Sequence, residues 1–480
     1  MRDGILALYH RLPAPARSAA ASLRGLYLRR WRYGKETERL KLEALERDTW
    51  SDAQWKSWRE ERLAMLLHRA ATQVPFYRYQ WERRRRLGDR ASAELLENWP
   101  VLDKDAVREN PRLFVADDCD VRRMLHEQTS GTTGKPLDIW RNRSTVESMY
   151  AIVDARTAGW EGIPDEARWA RLGGQLVTPV RQRQPPFWVW NMAMRQLYMS
   201  SYHLAPDLIP HYLDALKEYR IQYLAAYPSS LLAMANEVVR RGRKDLKMLA
   251  VFTNAEPLHA DQRAIIGEAF QCPVRETYGM TETVAAASEC PHGRMHQWPE
   301  VGHIEVLTDS RPVPAGETGE LVCTGLLNID MPLIRYRAGD RGSLAAAGDR
   351  CTCGRSLPLF GSVEGRSTDM LLTRDGRQVF WLNPVFYGLP VRQSQIVQES
   401  IDQITVKVAP GLGFNADTAR TIENRLRTRM GNAEITMQMV EEVERTKNGK
   451  IQAVVCKLSA EDREAILRGS RESFVAASAR

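Results

Sequence analysis

Between about residues 121 and 363 the sequence alternates between short β-rich runs and helical stretches. The runs at 223–227 and 249–252, for example, enclose a helical stretch at 230–241. Such alternation is typical of α/β architecture, because helices that connect successive strands cover the faces of the sheet. Further along, strand-like runs at 302–307, 319–324 and 342–344 are separated by Gly and Pro, which predicts a more antiparallel part.

Two regions of different character flank this core. The first hundred residues predict helices, because large apolar side chains recur at roughly helical spacing until Val74-Pro75 breaks the pattern. Near the other end, strand-like runs and one helical stretch at 417–430 predict a separate small α+β unit. We therefore expect a helical N-terminal region (1–120), the rest of a large, multi-subdomain α/β domain (121–365) and a small α+β C-terminal domain (366–480).

The composition excludes several classes of protein. Hydrophobic residues make up 43% of the 480 residues and include 13 Trp, 15 Tyr and 10 Phe, which excludes disorder as the main state. The net charge of +8 is a modest excess for this length, so it allows a nucleic-acid partner without demanding one. Seven cysteines, an odd number, argue against a secreted disulfide framework. Because no run of 18 apolar residues predicts a membrane span, we expect a cytoplasmic protein.

Residues 1–36 form a basic arm that contains the cluster Arg29-Arg30-Trp31-Arg32. The pattern has two interpretations. The arm is either a solvated helix on the body of the protein or an amphipathic helix in peripheral contact with a membrane surface.

The strongest local motif is a run of small and hydroxyl residues, Thr129-Ser130-Gly131-Thr132-Thr133-Gly134-Lys135-Pro136. Two glycines allow the backbone to approach a ligand closely, and hydroxyl and N–H groups can surround an anion. Lys135 adds a positive charge. The run is not a Walker A loop, because proline follows the lysine where that motif has Ser or Thr and continues as a helix.

This motif resembles the phosphate-binding signature of the adenylate-forming superfamily, the acyl-CoA synthetases and related adenylation enzymes. Four further motifs that resemble those of the superfamily follow in its order, at residues 277–282, 336–340, 365–369 and 445–450. The loops at 226–229 and 254–258 and the run at 74–77 are similar to the phenylacetate–CoA ligase-like branch, which includes members from capsular polysaccharide gene clusters.

The resemblance implies ATP-dependent activation of a carboxylic acid as an acyl-adenylate, followed by transfer to an acceptor. Lys450 is implied as the catalytic lysine between carboxylate and α-phosphate, Thr281 as a phosphate contact and Glu282 as the Mg²⁺ ligand. Further nucleotide-binding residues are implied at Ser130, Gly131, Thr132, Thr133, Gly134, Lys135, Glu256, Thr277, Tyr278, Gly279, Asp340 and Arg366. Tyr278 would lie against the adenine, and Asp340 would bind the ribose hydroxyls.

The same resemblance implies that the C-terminal domain is mobile, rotating between an adenylation pose and a thioester-forming pose. The hinge position usually holds Asp or Lys, but here Thr368 occupies it and Asp369 follows. We expect the rotation to survive, since the backbone does the turning, with a pivot that differs from the common one.

The acyl group is expected to contact Tyr227, Phe252 and Ala255, because the matching loops of the family border it. The aromatic run at 185–192 could also line the pocket, although such a cluster is more often core. ATP, Mg²⁺ and coenzyme A are the expected cofactors, and we expect a monomer or homodimer that binds no nucleic acid. Three interpretations remain. They are an acid–CoA ligase, an adenylating ligase that transfers the acyl group to an amine in polysaccharide or natural-product biosynthesis, and a catalytically silent scaffold or nucleic-acid-binding protein that uses the basic N-terminal part.

Two clusters of soft metal ligands are separated by about sixty residues. Cys290 precedes His292 and His296, and Cys351 and Cys353 follow later. This spacing suits a tetrahedral Cys₃His structural zinc site. The resemblance favours His296 as the fourth ligand, with His292 as the alternative. The remaining cysteines, Cys119, Cys272, Cys323 and Cys456, are expected to be ordinary thiols.

Overall fold

A computed structural model of the chain describes residues 2–129, 137–256, 258–308, 310–346, 348–364, 371–379, 382–386, 389–444, 452–459, 461–466 and 468. The α-helices span Arg2–Arg11 (α1), Ala14–Arg32 (α2), Thr37–Arg47 (α3), Asp52–Gln73 (α4), Pro75–Arg86 (α5), Lys104–Glu109 (α6), Arg143–Asp154 (α7), Ile209–Glu218 (α8), Pro228–Arg240 (α9), Ala260–Phe270 (α10) and Ala416–Met430 (α11). None of the helices in the described ranges has the length and hydropathy needed to cross a membrane.

The strands form two large sheets in the first part of the chain and a smaller one at its end. They span Leu125–Gln128 (β1), Asp138–Arg141 (β2), Trp169–Gly173 (β3), Trp188–Asn191 (β4), Gln196–Ser200 (β5), Tyr223–Ala226 (β6), Ala250–Thr253 (β7), Val274–Gly279 (β8), Ala286–Glu289 (β9), Met295–Gln297 (β10), Gly302–Thr308 (β11), Arg311–Pro312 (β12), Gly319–Gly325 (β13), Tyr336–Leu344 (β14), Phe360–Glu364 (β15), Leu371–Leu372 (β16), Gln378–Val379 (β17), Val391–Gln398 (β18), Gln403–Pro410 (β19), Glu434–Met439 (β20) and Val454–Cys456 (β21).

The N-terminal helices start and stop where their sequences require. Ser51 caps α4, since its Oγ accepts from the N–H of Gln54 while its own N–H donates to the Gln54 side chain. The helix ends at Gln73, because the backbone of the next residue, Val74, is extended before the proline that starts α5. Buried apolar residues of both helices join a core that also contains strands of the five-stranded sheet.

The eight-stranded sheet has the order β10-β9-β8-β7-β6-β3-β5-β4. Its central strands β5, β3, β6, β7 and β8 are parallel, as helical crossovers between strands require. Apolar residues on one face of these strands pack against α8, α9 and α10 in a single core. The aromatic run at 185–192 contributes the buried Phe187 and Trp188 to this core around the edge strand β4. The α/β class that we predicted is confirmed.

The five-stranded sheet is antiparallel, with the order β12-β11-β13-β14-β15. Strand β14 starts at Tyr336, earlier than the predicted run at 342–344, so Asp340 lies within a strand rather than in a turn. Gly339 adopts a φ of +80°, a backbone conformation that glycine tolerates better than other residues.

The C-terminal part contains a four-stranded sheet, β20-β19-β18-β21, on which α11 packs. It contacts the large domain at residues 180–203. Arg377 donates to the backbone carbonyl of Tyr202 (3.2 Å), and Arg183 forms an ion pair with Asp375 (2.6 Å). The predicted boundary at 365–366 lies outside the described residues.

Candidate active site

Six of the predicted site residues that the structure describes gather at one edge of the eight-stranded sheet. Strands β6, β7 and β8 are adjacent and parallel, so the residues at or just beyond their carboxyl ends are neighbours. Such an edge is where open α/β sheets bind ligands. This arrangement brings together Tyr227, Ala255, Glu256, Thr277, Tyr278 and Gly279.

The loop after β7 is held in an unusual conformation. Ala255 has a φ of +65°, which costs free energy in a residue with a Cβ and is often found at functional sites. Glu256 accepts hydrogen bonds from the backbone N–H (3.0 Å) and Oγ (2.9 Å) of Ser229 in the first turn of α9. Burial raises the pKa of Glu256, and the two bonds from Ser229 oppose that shift. The contact joins the loops after β6 and β7.

Tyr278 and Asp340 come from the two large sheets and meet in the site. The Tyr278 hydroxyl donates to Asp340 Oδ2 (3.1 Å), and the Tyr278 ring packs edge-on against Phe360, with 5.7 Å between ring centroids. Two motifs that are about sixty residues apart in the sequence therefore face each other.

The Glu282 carboxylate is buried, with 6% of the residue exposed. The Lys104 ammonium (2.8 Å) and the Tyr336 hydroxyl (3.0 Å) both donate to its Oε1. Burial raises the pKa of Glu282, but Lys104 and Tyr336 more than offset this effect, so the net pKa lies below its ordinary value. The carboxylate is therefore ionised at neutral pH. Thr281 precedes it, and its carbonyl accepts from Thr283 Oγ1 (3.2 Å).

The two ends of the predicted phosphate loop are fastened together. The Thr129 N–H donates to the carbonyl of Leu137 (2.9 Å), and the Leu137 N–H donates to Thr129 Oγ1 (2.9 Å). These bonds extend the antiparallel pair β1–β2. The predicted site residues outside the described ranges are Ser130, Gly131, Thr132, Thr133, Gly134, Lys135, Arg366, Thr368, Asp369 and Lys450.

Three cysteines and one histidine form a cluster away from this edge. The ligand atoms of Cys290, His296, Cys351 and Cys353 all lie within 4.8 Å of one another. Cys290 Sγ is 3.6 Å from Cys351 Sγ, and Cys353 Sγ is 3.4 Å from His296 Nε2. His292, the alternative ligand, is exposed and its Nδ1 lies 2.9 Å from Thr352 Oγ1.

Two charged residues near the site were missed at the sequence level. Lys104 starts α6 and reaches Glu282 across 178 positions, and Arg171 lies on β3 in the same row of the sheet as Phe252. Neither belongs to a motif. Only the sheet register and the packing of α6 reveal their positions.

Comparison with known families covers most of the chain. A family model described as AMP-binding enzyme matches residues 57–329, and one described as CapK C-terminal domain matches residues 371–457. Protein CapK of Staphylococcus aureus is 24% identical over 380 residues, which cover 76% of this chain and 80% of that protein. Phenylacetate-coenzyme A ligase of Thermus thermophilus is 26% identical over 378 residues, which cover 74% of this chain and 81% of the relative.

Solved structures of the same fold exist. The crystal structure of 2-hydroxyisobutyryl-CoA ligase in the postadenylation state with 2-HIB-AMP has a TM-score of 0.52, is 20% identical, and the match covers 89% of this chain and 94% of that one. A second structure of that ligase, with 2-HIB-AMP and CoA in the thioesterification state, has a TM-score of 0.53 at 18% identity, with 90% and 94% covered. At these identities the likeness shows the fold.

The Lys104–Glu282 pair gives a prediction about stability and pH. Lys104→Met removes one partner of a buried ion pair, which typically costs about 3–5 kcal/mol at neutral pH. Because the folded-state pKa of Glu282 is depressed, the stability due to this pair is present above the ordinary carboxyl pKa of about 4.3 and lost as pH falls through the lower folded value. Urea unfolding of both proteins should therefore give a difference that shrinks below about pH 4.

Lys56→Met serves as the control, since Lys56 forms an exposed pair with Glu60 (3.9 Å) whose loss should change stability by less than about 1 kcal/mol. A loss for Lys104→Met that stays the same from neutral to acid pH would contradict the assignment of the pair as ionic.

Proposed function

Because this chain belongs to the AMP-binding enzyme family, in the adenylate-forming branch that includes phenylacetate–coenzyme A ligases and CapK, we propose that it joins a carboxylic acid to coenzyme A. The enzyme is an adenylate-forming ligase. In the first step an oxygen of the carboxylate attacks the α-phosphorus of ATP, and pyrophosphate leaves. In the second step the thiolate of coenzyme A attacks the acyl carbon, and AMP leaves.

The observation that carries the proposal is the meeting of residues 277–282 with residues 336–340. The Tyr278–Asp340 hydrogen bond and the Tyr336–Glu282 hydrogen bond both join these segments. An aromatic ring, a carboxylate for ribose hydroxyls and a buried carboxylate for a metal therefore belong to one constellation. We assign Thr277, Gly279 and Glu256 to the same nucleotide site, and Tyr227, Phe252 and Ala255 to the acyl pocket.

Glu282 suits the Mg²⁺ that this reaction uses. Its carboxylate is ionised, and Lys104 and Tyr336 both donate to Oε1, so neither of them uses Oε2. Carboxylate oxygens are the ligands that Mg²⁺ prefers, and the bound ion would neutralise phosphate charge. The Lys104 ammonium balances the charge of this carboxylate before Mg²⁺ and ATP bind.

Residues outside the described ranges complete the assignment. We propose that Ser130, Gly131, Thr132, Thr133, Gly134 and Lys135 bind the ATP phosphates and that Arg366 contacts the nucleotide. Lys450 would neutralise the charge that develops between carboxylate and α-phosphate. Thr368 and Asp369 would form the pivot of the C-terminal domain.

An amine is the alternative acceptor, because residues 371–457 match the CapK C-terminal domain. In the family this is the part of the chain that takes part in both half-reactions. Under this alternative an amine attacks the acyl-adenylate, and an amide forms in polysaccharide or natural-product biosynthesis. Both alternatives share the first step and differ only in the nucleophile.

We also propose that Cys290, His296, Cys351 and Cys353 hold a structural Zn²⁺. Three thiols and one imidazole are the ligands of a closed tetrahedral zinc site, and their atoms already lie within 4.8 Å of one another. Since the cluster joins the β9–β10 hairpin to the loop before β15, the metal would hold these segments together. A closed site of this kind has a structural role and takes no part in the reaction.

The first step is tested by exchange of labelled pyrophosphate into ATP with a panel of aromatic and aliphatic acids. Lys450→Ala should lower the exchange by at least about 10²-fold, because a preorganised cation is lost from the transition state. Lys457→Ala, an exposed lysine paired with Glu399 (2.7 Å), should exchange like the wild type. Exchange that does not depend on added acid would refute the first step. Exchange at the wild-type rate in Lys450→Ala would refute the role assigned to Lys450.

The acceptor is tested with the best acid from that panel. Coenzyme A should yield a thioester detectable by mass spectrometry, while amines offered without coenzyme A should yield none. Amide formation without coenzyme A would replace the ligase proposal with its alternative.

The zinc site is tested by elemental analysis of the purified protein. We expect about one zinc per chain, lost in Cys351→Ser together with a lower Tm, because the metal stabilises the folded state. Cys272→Ser, a thiol outside the cluster, should keep both zinc and Tm. A wild-type protein that neither contains nor binds zinc would disprove the site.

A further inference from the structure

We propose that the acyl pocket selects acids that carry a second anionic group, which Arg171 binds. The proposal rests on the adenylation reaction proposed above and adds the class of acid. No motif includes Arg171, and its role follows from where β3 places it in the sheet.

Arg171 lies in one row with the predicted pocket. In the parallel register it is opposite Tyr198 of β5 and Ala225 of β6, and Ala225 is opposite Phe252 of β7. Residues aligned in this way project to the same face of the sheet. Tyr227 follows two residues after Ala225, toward the carboxyl edge where the adenylate would form.

The two faces of the sheet are covered to different extents, and on this face Ile163 and Ala167 pack against Phe252. Ala170 and Leu172, which flank Arg171 and point the other way, are fully buried against helices. Arg171, Tyr198 and Ala225 keep part of their surface accessible although they lie on internal strands. Ala225 packs against the apolar cluster that contains Phe252, so Arg171 and Tyr198 form the polar part of this face. We place the second anionic group of the acid in a recess beside these two side chains.

The charge of Arg171 has no carboxylate partner among the residues that the structure describes. Its titratable neighbours are the phenols Tyr198, Tyr227 and Tyr150. Burial lowers the pKa of Arg171, and these phenols raise it to a net value above the ordinary one, so the cation persists. By contrast, the buried Arg156 is paired with Asp48 (2.9 Å) and Glu300 (2.8 Å). A guanidinium that faces phenols and no carboxylate has the capacity to bind an anionic group of a ligand.

A second cation lies against Tyr150, one of the phenols near Arg171. The Arg32 guanidinium lies 4.2 Å from the centroid of the Tyr150 ring, and it too forms no ion pair within the described ranges. The hydroxyl of Tyr198 lies over Gly173, since a Cβ there would be 2.1 Å from it. A carboxylate in this recess would meet a guanidinium and a phenol, which are groups that recognise it specifically.

The experiment compares matched acids by pyrophosphate exchange. Succinate, adipate and 4-carboxyphenylacetate are each paired with the acid in which methyl replaces the second carboxylate: butyrate, hexanoate and 4-methylphenylacetate. At least one anionic acid should exceed its neutral partner in kcat/KM on the order of 10²-fold, because a neutral acid leaves Arg171 unpaired. Arg171→Met should abolish this preference and Arg171→Lys should restore part of it, which excludes a folding defect as the cause.

Arg168→Met, an exposed arginine on the approach to β3, is the control and should keep the wild-type preference. If the wild type prefers neutral acids, or if Arg171→Met keeps the preference for the anionic acid, the inference is wrong while adenylation stands. If no acid supports exchange, the proposed function itself fails.

A different observation, the exposed surface of α1 and α2, points to a second inference. We infer that these helices bind an anionic membrane surface. On α1 the exposed Ile5 and Leu8 (65% each) are three residues apart, and on α2 Leu23 (69%) and Leu26 (56%) repeat this spacing. Each helix therefore presents an apolar stripe to solvent.

The opposite sides of both helices are fixed to the body of the protein. The Tyr9 hydroxyl of α1 donates to the carbonyl of Val177 (2.9 Å), and Ser18 Oγ of α2 accepts from the N–H of Trp190 (3.2 Å). Gly25 contacts Asn191 so closely that a Cβ would not fit. The stripes cannot turn inward without breaking these contacts.

The charge of the arm matches an anionic surface. Residues 1–36 contain eight Arg and Lys but only two acidic residues, and Arg24, Arg29 and Arg30 beside the α2 stripe are exposed. Helices that lie on membranes typically combine leucines, which enter the interface, with arginines, which reach lipid phosphates.

Flotation of the full-length protein with vesicles tests this inference. We expect binding to phosphatidylcholine vesicles that contain phosphatidylglycerol, weaker binding at high salt, and little binding to phosphatidylcholine alone. Leu23→Ser with Leu26→Ser should weaken binding by about tenfold or more, because less apolar surface is buried. Leu42→Ser, an equally exposed leucine on α3, is the control. The inference would be overturned if the wild type did not bind the vesicles. It would also be overturned if the double variant bound normally but no longer formed a dimer, because the leucines would then lie between two copies of the chain.

Discussion

One buried carboxylate ties the two large sheets of this protein together. Glu282 follows β8 of the eight-stranded sheet, yet its partners are Tyr336 on β14 and Lys104 on α6. A buried carboxylate without partners would be costly, so the three segments must approach as a unit. Because residues 277–282 include Tyr278, the same approach brings this tyrosine to Asp340. The geometry of the site thus depends on the contacts that the Glu282 carboxylate makes with Lys104 and Tyr336.

The fold and part of the site could be predicted from local signals. Alternating runs indicated the α/β class, and ordered motifs indicated that Tyr278, Glu282 and Asp340 act together. Local signals could not predict which distant residues a charged side chain contacts in the folded protein. Lys104 and Arg171 look like ordinary surface residues in the sequence, because their positions depend on how α6 packs and on the register of β3. The resemblance favoured His296 over His292, and the β9–β10 hairpin places His296 Nε2 3.4 Å from Cys353 Sγ.

Two arginines of the large domain show how ion pairing distinguishes a structural arginine from one that can bind a ligand. Arg156 is completely buried and its charge is balanced by Asp48 and Glu300, so it holds neighbouring segments in place and has no capacity for a ligand. Arg171 is less buried, faces phenols and lacks a carboxylate in the described ranges. The relatives named for phenylacetate act on an acid without a second charge. Under our proposal such an acid would offer no partner to the Arg171 guanidinium, so an acid with a second anionic group would be preferred.

The segment at 176–183 lies between the N-terminal helices and the C-terminal domain. Its first residues are held by α1, since Tyr9 and His10 bond to the carbonyls of Val177 and Leu176. Its last residues face the C-terminal domain, where Arg183 pairs with Asp375 and Val180 joins the C-terminal core. A rotation of that domain would break the Arg183–Asp375 pair and release one side of the segment. The same segment therefore contacts both the helices that we propose bind a membrane and the domain that we propose rotates.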